Sequence, residues 1–274
     1  MEKLYFSDTF RKAWGKDPFG HAFAVQGEVF RAVKNRKTMR FFMDGKSYFI
    51  KLHGPVGWGE IWKNLLQFKL PVIGSANEYL AISLLSKLGV PTMTACAFGI
   101  RGVNPAAMES FLVTEDLVGM VSLEDFCRDW KTNPPPAELK NRLIRALAVT
   151  CARMHGSGLN HRDCYLCHFL LDPASLNDKR IRLHVIDLHR AQIRPRIRRR
   201  FRVKDLAGIF FSSMDLGLSR RDALRFIAAY TPRAGALDAR IWPDVLRTAV
   251  KLYRKEFGRS PDLPDRLLRT TLTS

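Results

Sequence analysis

The sequence predicts an α+β fold, with a strand-rich first part over residues 1–116 and a mostly helical second part over residues 117–274. Three observations carry this reading. Up to Leu117, short apolar segments of strand character recur between turn signals. Beyond it, apolar residues recur at helical spacing through longer runs. Apolar residues make up 46% of the 274 positions, enough for the cores of one large domain or two small ones.

The elements follow in order. The opening MEKLYFSDTFRKAWGKDPF lacks the apolar stretch of a signal peptide, and no run of 18 apolar residues follows, so a cytoplasmic chain is expected. EVFRAV (28–33), TMRFFM (38–43) and KSYFIKLH (46–53) read as strands, with Asp44-Gly45 as the hairpin turn between the last two. A helix is expected over GEIWKNLLQFKL (59–70), ended by Pro71 and Gly74. A second runs from about Asn77 to Leu88, striped by Leu80, Ala81, Leu84, Leu85 and Leu88 and capped by Gly89. TACAFGIRG (94–102) and ESFLVTEDL (109–117) look like a further strand pair. ELKNRLIRALAVTCARMH (138–155) is a long amphipathic helix, IRLHVIDL (181–188) a short buried strand, and helices dominate thereafter.

The stretch HRDCYLCHF (161–169) supports two chemistries. His161, Cys164, Cys167 and His168 lie within eight residues, as in a metal site. A structural zinc site normally joins ligand pairs far apart in sequence, and Cys96, Cys127 and Cys151 offer no second pair, so no zinc is expected. Five cysteines without a framework fit reduced thiols. The second chemistry is phosphoryl transfer, because His-Arg-Asp opens a kinase catalytic loop. That reading demands, in order, a strand lysine, a helix glutamate, the loop aspartate and a later metal-binding aspartate. Lys51, Glu78, Asp163 and Asp187 meet the demand in order and on the right elements. Each alone has a plainer reading: a solvated lysine, a capping-box glutamate, a turn aspartate. Their joint order outweighs these.

These residues, with GKDPF (15–19), GEVFR (27–31), TEDL (114–117), SLEDFC (122–127), NHRDCYLCHFLL (160–171), VIDLHRAQIR (185–194) and KDLAGIFFSS (204–213), make the chain similar to the protein-kinase-like superfamily. More closely it resembles the bacterial lipopolysaccharide core heptose(I) kinases. The resemblance implies a bilobal kinase-like fold, with a strand-rich N-lobe and a helical C-lobe. It also implies a cytoplasmic enzyme that uses ATP and Mg²⁺ to phosphorylate the first heptose of the lipopolysaccharide inner core. Asp163 would be the catalytic base, Lys51 with Glu78 the phosphate-neutralising pair, and the backbone of Glu115 and Leu117 the adenine contact. Asp187 and His168 would meet the metal, although His168 stands where kinases carry asparagine and imidazole is a softer ligand. Asp205 would tie a later helix to the catalytic loop; as a bare residue it reads as a helix N-cap. The phosphate-covering turn is KNRK (34–37), where Arg36 and Lys37 either supply charge or decorate a solvated tip.

The formal charge is +19, which calls for an anionic partner. Between Asp187 and Asp205 no Ser, Thr or Tyr occurs, so this loop carries no phosphorylation switch; residues 194–204, RPRIRRRFRVK, hold seven basic residues. In a kinase this loop meets the acceptor. Arg162, Arg198, Arg199 and Arg200 are therefore expected to bind the acidic lipopolysaccharide core acceptor. The same charge suits an anionic inner-membrane surface, with the enzyme peripheral at its cytoplasmic face, or a small acidic carrier protein. PDVLRTAVKLYRKEFGR (243–259) reads as a helix that either packs on the helical part or meets that membrane. No nucleic-acid partner is expected. The other readings are a different small-molecule or protein kinase of this fold, and a non-catalytic basic binding protein built on it.

Overall fold

The structure, a computed structural model, describes residues 2–33, 35–59, 62, 66, 74–233 and 239–262. It divides into two compact units. Met1–Ser86, Met93–Val118 and Leu188–Arg190 form the first; Lys87–Thr92, Gly119–Asp187 and Ala191–Ser274 form the second.

The first unit is built on a six-stranded antiparallel sheet of β1 (Glu2–Phe6), β2 (Glu28–Val33), β3 (Arg36–Met43), β4 (Lys46–His53), β5 (Ala95–Arg101) and β6 (Glu109–Glu115). The strand order is β1-β5-β6-β4-β3-β2. Asp44 and Gly45 both take positive φ, 51° and 74°, as a tight hairpin turn requires. Side chains alternate across a strand, and this sets what each face carries. Met39 and Phe41 of β3 and Tyr48, Ile50 and Leu52 of β4 are buried in one cluster with α1 (Asp8–Trp14) and α2 (Pro18–Ala24), where Phe10, Trp14 and Phe19 interlock. Arg36, Thr38, Lys51 and His53 consequently point to the other face, with Arg36 opposite His53 and Thr38 opposite Lys51. Glu78 of α3 (Ala76–Lys87) reaches this second group. The elements β1, α1 and α2, five to seven residues each, were not anticipated from the sequence. They are too short to display a period. The helix expected over 59–70 lies outside the described residues except at Gly59, Trp62 and Leu66.

The second unit is mainly helical. It contains α4 (Leu123–Phe126), α5 (Ala137–Gly156), α6 (Arg199–Ser213), α7 (Arg220–Tyr230) and α8 (Trp242–Phe257). Helix α5 packs on α7, and α6 on α8. Val245, Ala249 and Tyr253 of α8 are buried in that packing, while Phe257 is half exposed. Short strands frame the catalytic loop: β8 (Leu159–Asn160) pairs with β11 (Gln192–Ile193), and β9 (Phe169–Leu171) lies between β7 (Val121–Ser122) and β10 (Leu183–Val185). Gly208 lets α6 lie against that loop, since a Cβ there would run into the carbonyl oxygen of Cys164. An apolar cavity of about 350 Å³ opens among the helices, lined by Trp130, Leu143, Leu147, Phe210, Phe226 and Leu246 among others. Among the described residues, no helix is long and apolar enough to cross a membrane.

Candidate active site

In the second unit the loop after β8 is held from below by one carboxylate. Asp205 is buried in the middle of α6, seven residues into the helix rather than at its N-cap. Its oxygens accept the backbone N–H groups of His161 at 2.7 Å and Arg162 at 2.8 Å. His155 Nε2, at the end of α5, adds a third contact at 3.2 Å. Arg162 has φ 75°, a left-handed backbone that a residue with a Cβ adopts only when its surroundings impose it. The bond from its own N–H to Asp205 supplies that constraint.

This turn presents Asp163, half-buried, at the loop surface. The Asp163 carbonyl accepts both the Tyr165 N–H at 3.1 Å and His168 Nδ1–H at 2.7 Å. The loop is then stitched to the segment that leads from β10 to Asp187. Ile186 N–H donates to the His168 carbonyl at 3.0 Å, and His161 Nε2–H donates to the Ile186 carbonyl at 2.9 Å. The His161 and His168 rings stack at 5.5 Å and 4°. Asp187 also has a left-handed backbone, φ 56°.

His168 Nδ1 must carry its hydrogen to donate to Asp163. The other nitrogen, Nε2, then faces Asp187 Oδ2 at 3.6 Å. A proton or a cation between the two atoms joins them at that range. A cation placed there would meet one nitrogen and one oxygen ligand. The other side chains of the stretch are engaged elsewhere. Cys164 is fully buried and hydrogen-bonds Cys151, and burial pushes its thiol well up. Burial pushes Cys167 up to about 11.

In the first unit Lys51 Nζ bonds Glu78 Oε1 at 2.6 Å, and the glutamate side chain is fully buried. Arg36 lies on the same face as Lys51, two ladder positions beyond Thr38. Lys37 does not: it pairs with Leu52, and the pleat turns it to the opposite face. Both residues belong to β3 rather than to the turn. The Glu115 N–H is committed to the Thr94 carbonyl at 3.0 Å, leaving its own carbonyl as the group it can offer. Leu117 follows on the same segment and is partly buried.

The basic stretch 194–204 is partly structural. Arg198 precedes α6 without capping it. Arg199 pairs with Asp244 of α8. Arg200 and Arg194 both lie over the ring of Phe201, at 4.6 and 4.4 Å. Arg202 is buried. So Arg198 and Arg200 are exposed, while Arg199 braces two helices.

Sequence reasoning missed His155 and Tyr230. Tyr230 OH lies 2.7 Å from His155 Nδ1, and both side chains are buried. The Asp205 carboxylate only accepts, so Nε2–H donates to it, while the phenol, kept protonated by burial, meets Nδ1. Their only trace in the sequence is a histidine and a tyrosine inside apolar helix stripes, which reads as core.

Comparison with known proteins agrees with this geometry. The profile of the Lipopolysaccharide kinase (Kdo/WaaP) family matches residues 21–230. The lipopolysaccharide core heptose(I) kinase WaaP of Pseudomonas aeruginosa is 48% identical over 267 residues, covering 93% of this chain and 97% of that protein. WaaP of Escherichia coli is 45% identical, covering 97% and 98%. A solved structure described as WaaP in complex with acyl carrier protein superposes with a TM-score of 0.77 at 42% identity, covering 92% of this chain and 99% of that one. The chain thus belongs to the lipopolysaccharide kinase (Kdo/WaaP) family, with a kinase-like fold and a sugar hydroxyl as acceptor.

Proposed function

We propose that this enzyme transfers the γ-phosphoryl group of ATP to a hydroxyl of the first heptose of the lipopolysaccharide inner core. The observation that carries the chemistry is the Asp163 loop, locked by Asp205 and tied to Asp187. The likeness to heptose(I) kinases over nearly the whole chain supports the acceptor. In the reaction the heptose oxygen bonds to the γ-phosphorus, the bond to the β–γ bridging oxygen breaks, and ADP leaves. The Asp163 carboxylate orients the hydroxyl and accepts its proton. Lys51, aimed by Glu78, neutralises phosphate charge, and Arg36 adds to it from the neighbouring strand. The Glu115 carbonyl and the Leu117 backbone meet the adenine edge. Asp187 and His168 would hold the magnesium ion, which supplies charge neutralisation at the phosphates. Arg162, Arg198 and Arg200 contact the acidic acceptor. A helix opening on consecutive arginines puts positive charge where its dipole favours negative, and an anionic ligand relieves that. The test incubates purified protein with labelled ATP and lipopolysaccharide lacking core phosphate. Transfer is expected with Mg²⁺ and none after its removal. Transfer to a protein instead, with the lipid unlabelled, would overturn the acceptor.

We further infer a small acidic carrier protein as partner, acting at the inner membrane face where the acceptor resides. The +19 charge and the relative solved with an acyl carrier protein support this. The apolar cavity of the helical unit offers room for an acyl chain. An acyl-loaded carrier is expected to bind more tightly than the unloaded form, and high salt to weaken both. Equal affinity of the two forms would remove the cavity from the interaction.

A further inference from the structure

His53 takes no part in the chemistry above, yet its surroundings are unusual for a strand-end histidine. It is 6% exposed, and its Nδ1 is buried without a hydrogen-bond partner. A buried polar atom without a partner in the protein calls for an explanation, such as a water, an ion or a ligand. The ladder register shows which groups share its face. Lys51 is two residues earlier on β4, and Arg36 is directly opposite on β3. His189, in the short helical turn Leu188–Arg190 that packs with this unit, is a third neighbour. Burial, and then Arg36, Lys51 and His189, push the imidazole pKa down to about 4. The ring is thus neutral at physiological pH, with one N–H to place.

A neutral ring among basic groups is disfavoured as a cation and suited to an anion. Its N–H donates to an anionic oxygen, while Arg36 and Lys51 supply the charge. Apolar packing alone does not account for this residue: Leu52, its neighbour in sequence, faces the hydrophobic cluster on the opposite side. The anion at hand is the one Lys51 and Arg36 already serve. We propose that His53 is a further nucleotide-binding residue, its Nδ1–H donating to a phosphate oxygen beside the Lys51–Glu78 pair. This rests on the ATP-dependent reading above.

The experiment measures binding of Mg·ADP and of adenosine by calorimetry to the full chain and to two variants. His53→Leu keeps the volume and removes the donor. His53→Asn puts an amide N–H near the position of Nδ1. His53→Leu is expected to weaken Mg·ADP about 10- to 100-fold, the range for a hydrogen bond to a charged group, and to leave adenosine binding unchanged. His53→Asn is expected to recover most of the loss. In the wild-type protein, the ¹⁵N signal of the His53 ring should move on adding Mg·ADP and stay in place with adenosine. This arm needs no variant to fold. Wild-type affinity of His53→Leu for Mg·ADP, an equal loss for adenosine, or an unmoved ring signal would each overturn the assignment. Failure of the wild-type protein to bind Mg·ADP at all would instead overturn the ATP-dependent reading itself.

Discussion

Replacing Asp163 with alanine is expected to lower the turnover of phosphoryl transfer by roughly 10²- to 10⁴-fold, the range for removing a positioned general base. The melting temperature should hardly move. Asp163 is half-buried at the loop surface, and the bonds that shape its turn run through its carbonyl, which alanine retains. His168 Nδ1 and the Tyr165 N–H would still have their acceptor. The bonds that shape the loop are therefore kept, and changes at such partly exposed positions usually stay within about 0.5 kcal/mol. Nucleotide affinity should also persist, because Lys51, Glu78 and Arg36 belong to the other unit. Steady-state kinetics beside a thermal melt separate the two effects. Turnover within a few-fold of wild type in a normally melting variant would leave Asp163 without its role.

The strand pattern was legible where chemistry is local. KSYFIKLH was read at its observed bounds because alternation and the Asp44-Gly45 turn both act within a few residues. The order of Lys51, Glu78, Asp163 and Asp187 was legible for another reason. The kinase-like fold sets a strand lysine before a helix glutamate, whatever lies between, and Lys51 and Glu78 do pair. Features set by the pleat or by distant packing were not legible. Arg36 and Lys37 look equivalent as letters, yet one residue of offset sends them to opposite faces. Asp205 was expected to tie a later helix to the catalytic loop, as its bonds to the His161 and Arg162 N–H groups do, but the plainer reading as that helix's N-cap misplaced it. The helix starts six residues earlier, since arginine is a good helix former and the basic stretch continues straight into it. His53 and Tyr230 gave no signal, because their meaning lies in neighbours 17 to 75 residues away in the chain.

That misplacement of Asp205 makes its variant the sharper experiment, because an N-cap and a buried anchor differ in what their loss costs. Removing an N-cap typically costs about 1 kcal/mol. Asp205→Ala instead strands two backbone N–H groups and the His155 ring in a buried site. Each buried donor left unsatisfied costs about 1–3 kcal/mol, so roughly 3–5 kcal/mol in all is expected. In a chain of this size that lowers the melting temperature by on the order of 10 °C. Arg162 would also lose the bond that holds its left-handed backbone, so Asp163 would be misaimed in the molecules that remain folded. Activity per folded molecule should fall about 10²-fold or more, since small displacements of a reacting group carry that penalty. Tyr230→Phe grades the same argument. It deletes the hydroxyl that meets His155 Nδ1 while leaving both backbone bonds to Asp205 in place. Its loss of stability should be about 1–3 kcal/mol, and its loss of turnover smaller than that of Asp205→Ala. A melt of Asp205→Ala within 2–4 °C of wild type, about what the N-cap cost corresponds to, would show that the carboxylate does not anchor the loop.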